Sequence, residues 1–176
     1  PVAKAEKLKV GIAKIKNNPE FKQSEVDSLE KDFEVYFQEF PQSFATETLR
    51  DYAMLEATYA GNTQNAIALL EKALLQGNAR KDFIGAAKLQ LGDYYILVGK
   101  IWDASLLYSQ VDKAFREDMQ GEEARFRNAR LSYYEGDFEW AQGQLMVLKA
   151  STSELIANDA LYLSVLITEN IPPDSN

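Results

Sequence analysis

Cysteine and histidine are both absent from this chain of 176 residues. That excludes disulfides, thiol nucleophiles, Ser-His and Cys-His dyads, and imidazole or thiolate metal sites. It leaves the compartment open, because a cysteine-free chain tolerates either redox environment. Glycine and proline are sparse, at 9 and 5, so there is little material for turn-rich linkers or low-complexity sequence. No apolar run reaches the roughly 18 to 20 residues that would span a bilayer. The chain opens at Pro1 with charge close behind and no leader. That start reads as a processed or truncated end and is silent on the parent protein. Basic charge is also short: 19 Lys and Arg stand against 27 Asp and Glu, for a net charge of −8. A nucleic-acid binder needs a basic footprint to displace counterions from phosphate, so nucleic acid and anionic membranes are disfavoured as partners.

What the chain does have is repetition. Met54, Gly61, Ala66, Leu70 and Ala73 form a first phrase, and Gly92, Gly99, Ala104, Tyr108 and Val111 a second. Ala129, Gly136, Ala141, Leu145 and Leu148 form a third. The internal steps are 7, 5, 4 and 3 in every copy, and the copies stand 38 and 37 residues apart. Self-similarity at that period marks a stacked helical repeat, in which one unit cannot bury both faces alone.

The apolar spacing is helical throughout. Ala66, Ile67, Leu69, Leu70, Ala73 and Leu74 follow the i, i+3, i+4, i+7 rule of one helix face. The same pattern predicts helices over 3–16, 24–40, 47–59, 65–75, 84–98, 102–115, 123–134, 138–149 and 153–167. That makes nine helices and no strand. Gly61, Gly99 and Gly136 sit where helices should end, since glycine enters the left-handed conformation cheaply. Asn62-Thr63 and Asp137 follow with N-cap chemistry. Ser24-x-x-Asp27 has N-cap character, and Ser151-x-x-Glu154 reads as a capping box for the last helix. Pro41 should stop the second helix.

Carboxylate pairs at Glu122-Glu123 and Asp137 with Glu139 fall in first helical turns, where acids stabilise the helix dipole, so they read as structural and not as acid–base catalysts. Trp102 and Trp140 are expected to pack against an adjacent helix pair. Lys4, Lys7, Lys9, Lys14 and Lys16 read as a solvated helix face. No phosphate-loop or dinucleotide fingerprint occurs. No metal site, cofactor site or nucleophile–base pair is expected, so an enzyme is not.

The in-phase phrases, with Leu91-Gly92, Tyr95, Ala104 and Tyr108 as the best copy, resemble the tetratricopeptide repeat (TPR) family. The resemblance covers about 45–150. The stretches from Gly99 to Gln110 and from Gly136 to Gln142, with Leu148 to Ser153, are similar to exported TPR proteins of Bacteroidetes without assigned function. The resemblance implies an all-α, right-handed α-solenoid of antiparallel helix pairs. It divides the chain into a looser pair over 1–44, three repeats over 45–150 and a capping helix with tail over 151–176. It also implies a non-catalytic scaffold that binds a protein or peptide on its concave face, in a periplasmic or exported setting. Family positions carried onto this sequence select Asp51, Thr58, Tyr59, Asp93, Phe126, Arg130, Tyr133 and Tyr134 as the exposed candidates, in part because Tyr and Arg dominate binding hot spots. Leu89 and Asp93 stand where a clamp for C-terminal carboxylates would want amides and cations, so that mode is not expected. The alternative is a self-associating segment of an envelope-associated array, with the aromatic helix 24–40 as its contact surface.

Overall fold

The computed structural model describes residues 1–41, 46–77, 79–151 and 153–170. Among them there is no strand, and nine α-helices appear: α1 (Val2–Lys16), α2 (Gln23–Glu39), α3 (Thr46–Leu55), α4 (Thr63–Leu74), α5 (Lys81–Leu97), α6 (Ile101–Ala114), α7 (Met119–Glu135), α8 (Phe138–Leu148) and α9 (Glu154–Asn170). The chain separates into two compact units, 1–100 and 101–176. That division falls inside the 45–150 segment, and the expected break at 44 and the tail 171–176 lie outside the described residues.

In the first unit, α1 turns Leu8, Ile12 and Ile15 onto α2, which answers with Val26, Leu29, Phe33 and Tyr36. Spacings of 3 and 4 keep each set on one helix stripe. Tyr52 and Leu55 of α3 close the same core. Phe33 and Tyr36 are almost wholly buried, and Phe37 and Phe40 pack partly into this core. The expectation that α2 offers its aromatic rings to a second molecule is therefore corrected: they are used inside the unit. Burying a ring of that size is worth about 1.5–3 kcal/mol, which the internal core takes up.

The second unit is organised around α7, with α6 and α8 packed against it and α9 against α8 and α7. Its core joins Ala129, Ala141, Leu145, Leu148, Ile156, Ala160, Leu163 and Ile167. The repeated phrase proves to be packing in both units. Ala66, Leu70 and Ala73, then Ala104, Tyr108 and Val111, then Ala141, Leu145 and Leu148 are all at most 1% exposed. Gly61, Gly99 and Gly136 take φ of 72°, 76° and 84°. Side-chain oxygens of Asn62 and Asp137 cap the following helices through the N–H groups of Asn65 and Trp140.

Three local expectations change. The second helix starts at Gln23, and its first turn is closed by Glu25 accepting from the Lys22 N–H at 2.8 Å, not by Ser24 and Asp27. The last helix starts at Glu154. Ser153 is nearest its free amides, with its Oγ 3.5 Å from the Ile156 nitrogen, while the Ser151 hydroxyl donates to Glu122 and accepts from the Ser153 N–H. Trp102 and Trp140 are 83% and 45% exposed. Their indoles lie on the outer side of α6 and α8, because the neighbouring buried faces are already filled by Ala104 and Ala141.

The helix expected over 47–59 does not end as an α-helix. After Leu55 it widens into a π-helical turn, Glu56–Ala60, closed by Gly61. The Glu56 carbonyl accepts the N–H of Asn62 at 2.8 Å. Such turns are rare and cluster at functional places. Here the turn carries Thr58 outward, leaves Tyr59 half-buried against the core, and turns Glu56 inward, where it is 1% exposed.

Candidate functional site

Four of the candidate residues lie along α7. Phe126, Arg130, Tyr133 and Tyr134 follow at i, i+4, i+7 and i+8, which sets them on one side of the helix. Phe126 and Tyr133 are half-buried, with their bases packed on the second unit's core. Arg130 is exposed, with its guanidinium 5.9 Å from the Phe126 ring centroid, a cation–π arrangement. Tyr133 stands between two rings, Tyr134 at 5.3 Å and Phe138 at 5.8 Å. Tyr134 is 74% exposed. The four residues therefore form a shelf with its inner edge fixed in the core and its outer edge in water.

Beside the shelf, Tyr133, Tyr134 and Phe138 meet Ile167 and Asn170 around an open cleft of about 250 Å³. Phe138 enters this surface because Gly136 reverses the chain and α8 begins two residues later. In the sequence it marks only the start of the helix predicted over 138–149. The signal that distinguishes it is its place in the first turn, before the buried stripe begins at Ala141.

The second unit also holds two polar contacts that keep α7 in place. Asn128 is buried, donates to Ser109 Oγ at 2.9 Å and accepts from Ser105 at 3.0 Å. Arg125 forks onto the Asp112 carboxylate. Both tie α7 to α6 on the side away from Arg130.

The first unit holds the other expected residues. Asp51 of α3 is partly buried, and burial pushes its carboxyl above the ordinary range, opposed by the charges of Lys9 and Arg50. Next to it, Arg50 donates to Gln90 at 2.7 Å, and Gln90 donates to the Tyr94 hydroxyl at 2.7 Å. This chain across α3 and α5 was not anticipated. Asp93 is half-exposed on α5. Thr58 is exposed on the π-turn, whereas Tyr59 meets Phe21 edge to face at 5.4 Å. Thr48, Leu55 and Leu89 of the same helices are buried.

Among the described residues, no cluster of acidic side chains has the arrangement to hold a metal ion, and no helix is long and apolar enough to cross a membrane. No known family and no curated protein matches the chain. A solved structure does. It is a Podosopora anserina protein provisionally assigned to the kinesin light chains, with nearly identical TPR-like repeats. The match has a TM-score of 0.71 at 14% identity and covers 95% of this chain and 84% of that one. This chain has a TPR-like solenoid fold. At that identity the likeness concerns the path of the backbone, and the TPR-like α7 carries a shelf of its own composition.

Proposed function

We propose that the chain is a non-catalytic scaffold whose α7 shelf binds a peptide segment of a partner protein. The observation that carries this reading is Arg130 lying over Phe126 beside the Tyr133–Tyr134–Phe138 rings. Rings anchored in a core lose little entropy on binding, and an exposed guanidinium among them supplies direction. The shelf suits a short segment that places an apolar side chain in the cleft and a carboxylate on Arg130. Of the first unit's candidates, Asp51, Thr58, Tyr59 and Asp93, only Thr58 is fully exposed, so they enter the reading as secondary positions. The chemistry available supports a scaffold over an enzyme, since the chain holds no histidine or cysteine to serve as base or nucleophile. An exported setting belongs to the same reading, from the sequence resemblance.

Selection of displayed random peptides on the intact chain, repeated with an Arg130→Ala/Tyr134→Ala double variant, tests it. Peptides rich in acidic and apolar residues should emerge for the parent and lose binding to the variant, while far-UV circular dichroism is unchanged. Peptides that bind both proteins equally would remove the shelf from consideration.

A further inference from the structure

The last helix carries apolar side chains on both of its faces. Ile156, Ala160, Leu163 and Ile167 fill the core of the second unit. Opposite them, Leu155, Asp159, Tyr162, Val165 and Glu169 follow at i, i+4, i+7, i+10 and i+14, a single stripe turned away from that core. Leu155 and Tyr162 are 71% and 68% exposed, and Val165 is exposed beside them. A helix that only caps a repeat array turns a polar face to water. A helix apolar all round is one that other protein covers. The outer face of α9 therefore suits a contact. Its charges are all of one sign, with Glu154, Asp159 and Glu169 and no Lys or Arg. Two such faces would repel each other, so α9 is a poor partner for a second α9.

Its complement lies on α1, which has five lysines against a single glutamate, Glu6. Lys4 is paired with Glu39 and Lys9 with Glu6, whereas Lys7 and Lys14 form no ion pair among the described residues. These two stand with Ala3 and Val10 at i, i+4, i+7 and i+11, again one stripe, here alternating apolar and cationic. Lys7, Val10 and Lys14 form the α1 side of an open groove of about 360 Å³. Glu25 and Asp32 line its α2 side, and Glu25 is engaged in closing the first turn of α2.

We propose that a second copy of this chain docks here, the α9 stripe of one copy lying along the α1 groove of the other. Val10 stands between Lys7 and Lys14 as Tyr162 stands between Asp159 and Glu169. One register therefore serves both the apolar contact and the ion pairs. The pairing joins two different surfaces, so each copy keeps one free half and association can continue past two. A helix laid in a shallow groove with solvent-exposed ion pairs binds weakly. Association belongs to high protein concentration, and salt that screens the charges should reduce it.

Sedimentation velocity on the intact chain tests the proposal. At low salt the weight-average mass should about double between about 10 µM and about 1 mM, the range of a weak complex. Leu155→Asp/Tyr162→Asp removes the α9 half, and Lys7→Glu/Lys14→Glu removes the α1 half. All four side chains are exposed, and each variant alone should stay monomeric. Mixed in equal amounts, the two should form dimers and nothing larger, because one intact stripe then meets one intact groove. A parent chain that stays monomeric throughout overturns the proposal and leaves the α9 face to a different protein. A Lys7→Glu/Lys14→Glu protein that associates as the parent does also overturns it, as pairing between α9 faces would require. If the α9 variant fails to fold, the α1 variant decides alone: lost association supports the docking and retained association refutes it.

Discussion

The ring of Phe33 lies flat on the ring of Tyr52, centroids 4.7 Å apart and planes within 6°. It joins the helix pair without the repeat phrase to the first helix that carries it. Phe33 is fully buried, so Phe33→Ala should cost about 3–5 kcal/mol through lost burial and the cavity left behind. Urea unfolding followed by circular dichroism measures it. Phe33→Leu should recover about half of that loss.

Two glycines should respond to alanine with opposite signs. Gly136 has φ of 84° and open space around the missing Cβ, so Gly136→Ala meets only backbone strain, about 1–2 kcal/mol of destabilisation. Gly143 lies inside α8 with nothing near the missing Cβ. There Gly143→Ala should stabilise by about 0.5–1 kcal/mol through helix propensity. Thermal melts of the two variants separate these effects.

Asn128 satisfies two serines of α6 at once. Asn128→Ala should cost about 1–3 kcal/mol, because it strands Ser105 and Ser109 and opens a small void. Adding Ser105→Ala and Ser109→Ala should recover part of the loss, and a double-mutant cycle gives the coupling.

Burial raises the carboxyls of both Glu30 and Asp51. The native chain then holds protons that the unfolded chain has released, so stability falls as pH rises. For Glu30 the window runs from about 4.5 to about 7. Denaturant midpoints taken across that range should decline, and Glu30→Gln should flatten the decline.

The fold was legible because the packing rules repeat. A glycine at a helix end, an alanine five residues on, a bulky residue four further along and an apolar one three beyond that state the same geometry three times. The π-turn was hidden because Glu56 follows Leu55 and precedes Ala57, and a helix pattern absorbs one polar residue without protest. The irregular apolar run Leu55, Ala57, Tyr59 was its trace. Trp102 and Trp140 misled because size suggests burial, whereas small alanines beside them already fill the closest approach. On α7, Phe126, Arg130, Tyr133 and Tyr134 came from the positions that the family resemblance implies. Phe138 did not, since its place on the shelf depends on how the chain reverses at Gly136.

The most direct measurement of the central claim is a 15N–1H chemical-shift titration of the intact chain with a peptide selected on it. The account predicts that the largest shifts fall on Phe126, Arg130, Tyr133, Tyr134 and Phe138, with Ile167 and Asn170 at the cleft, and that α1 and α2 stay unchanged. Shifts concentrated on α1 and α2, with α7 silent, would contradict it.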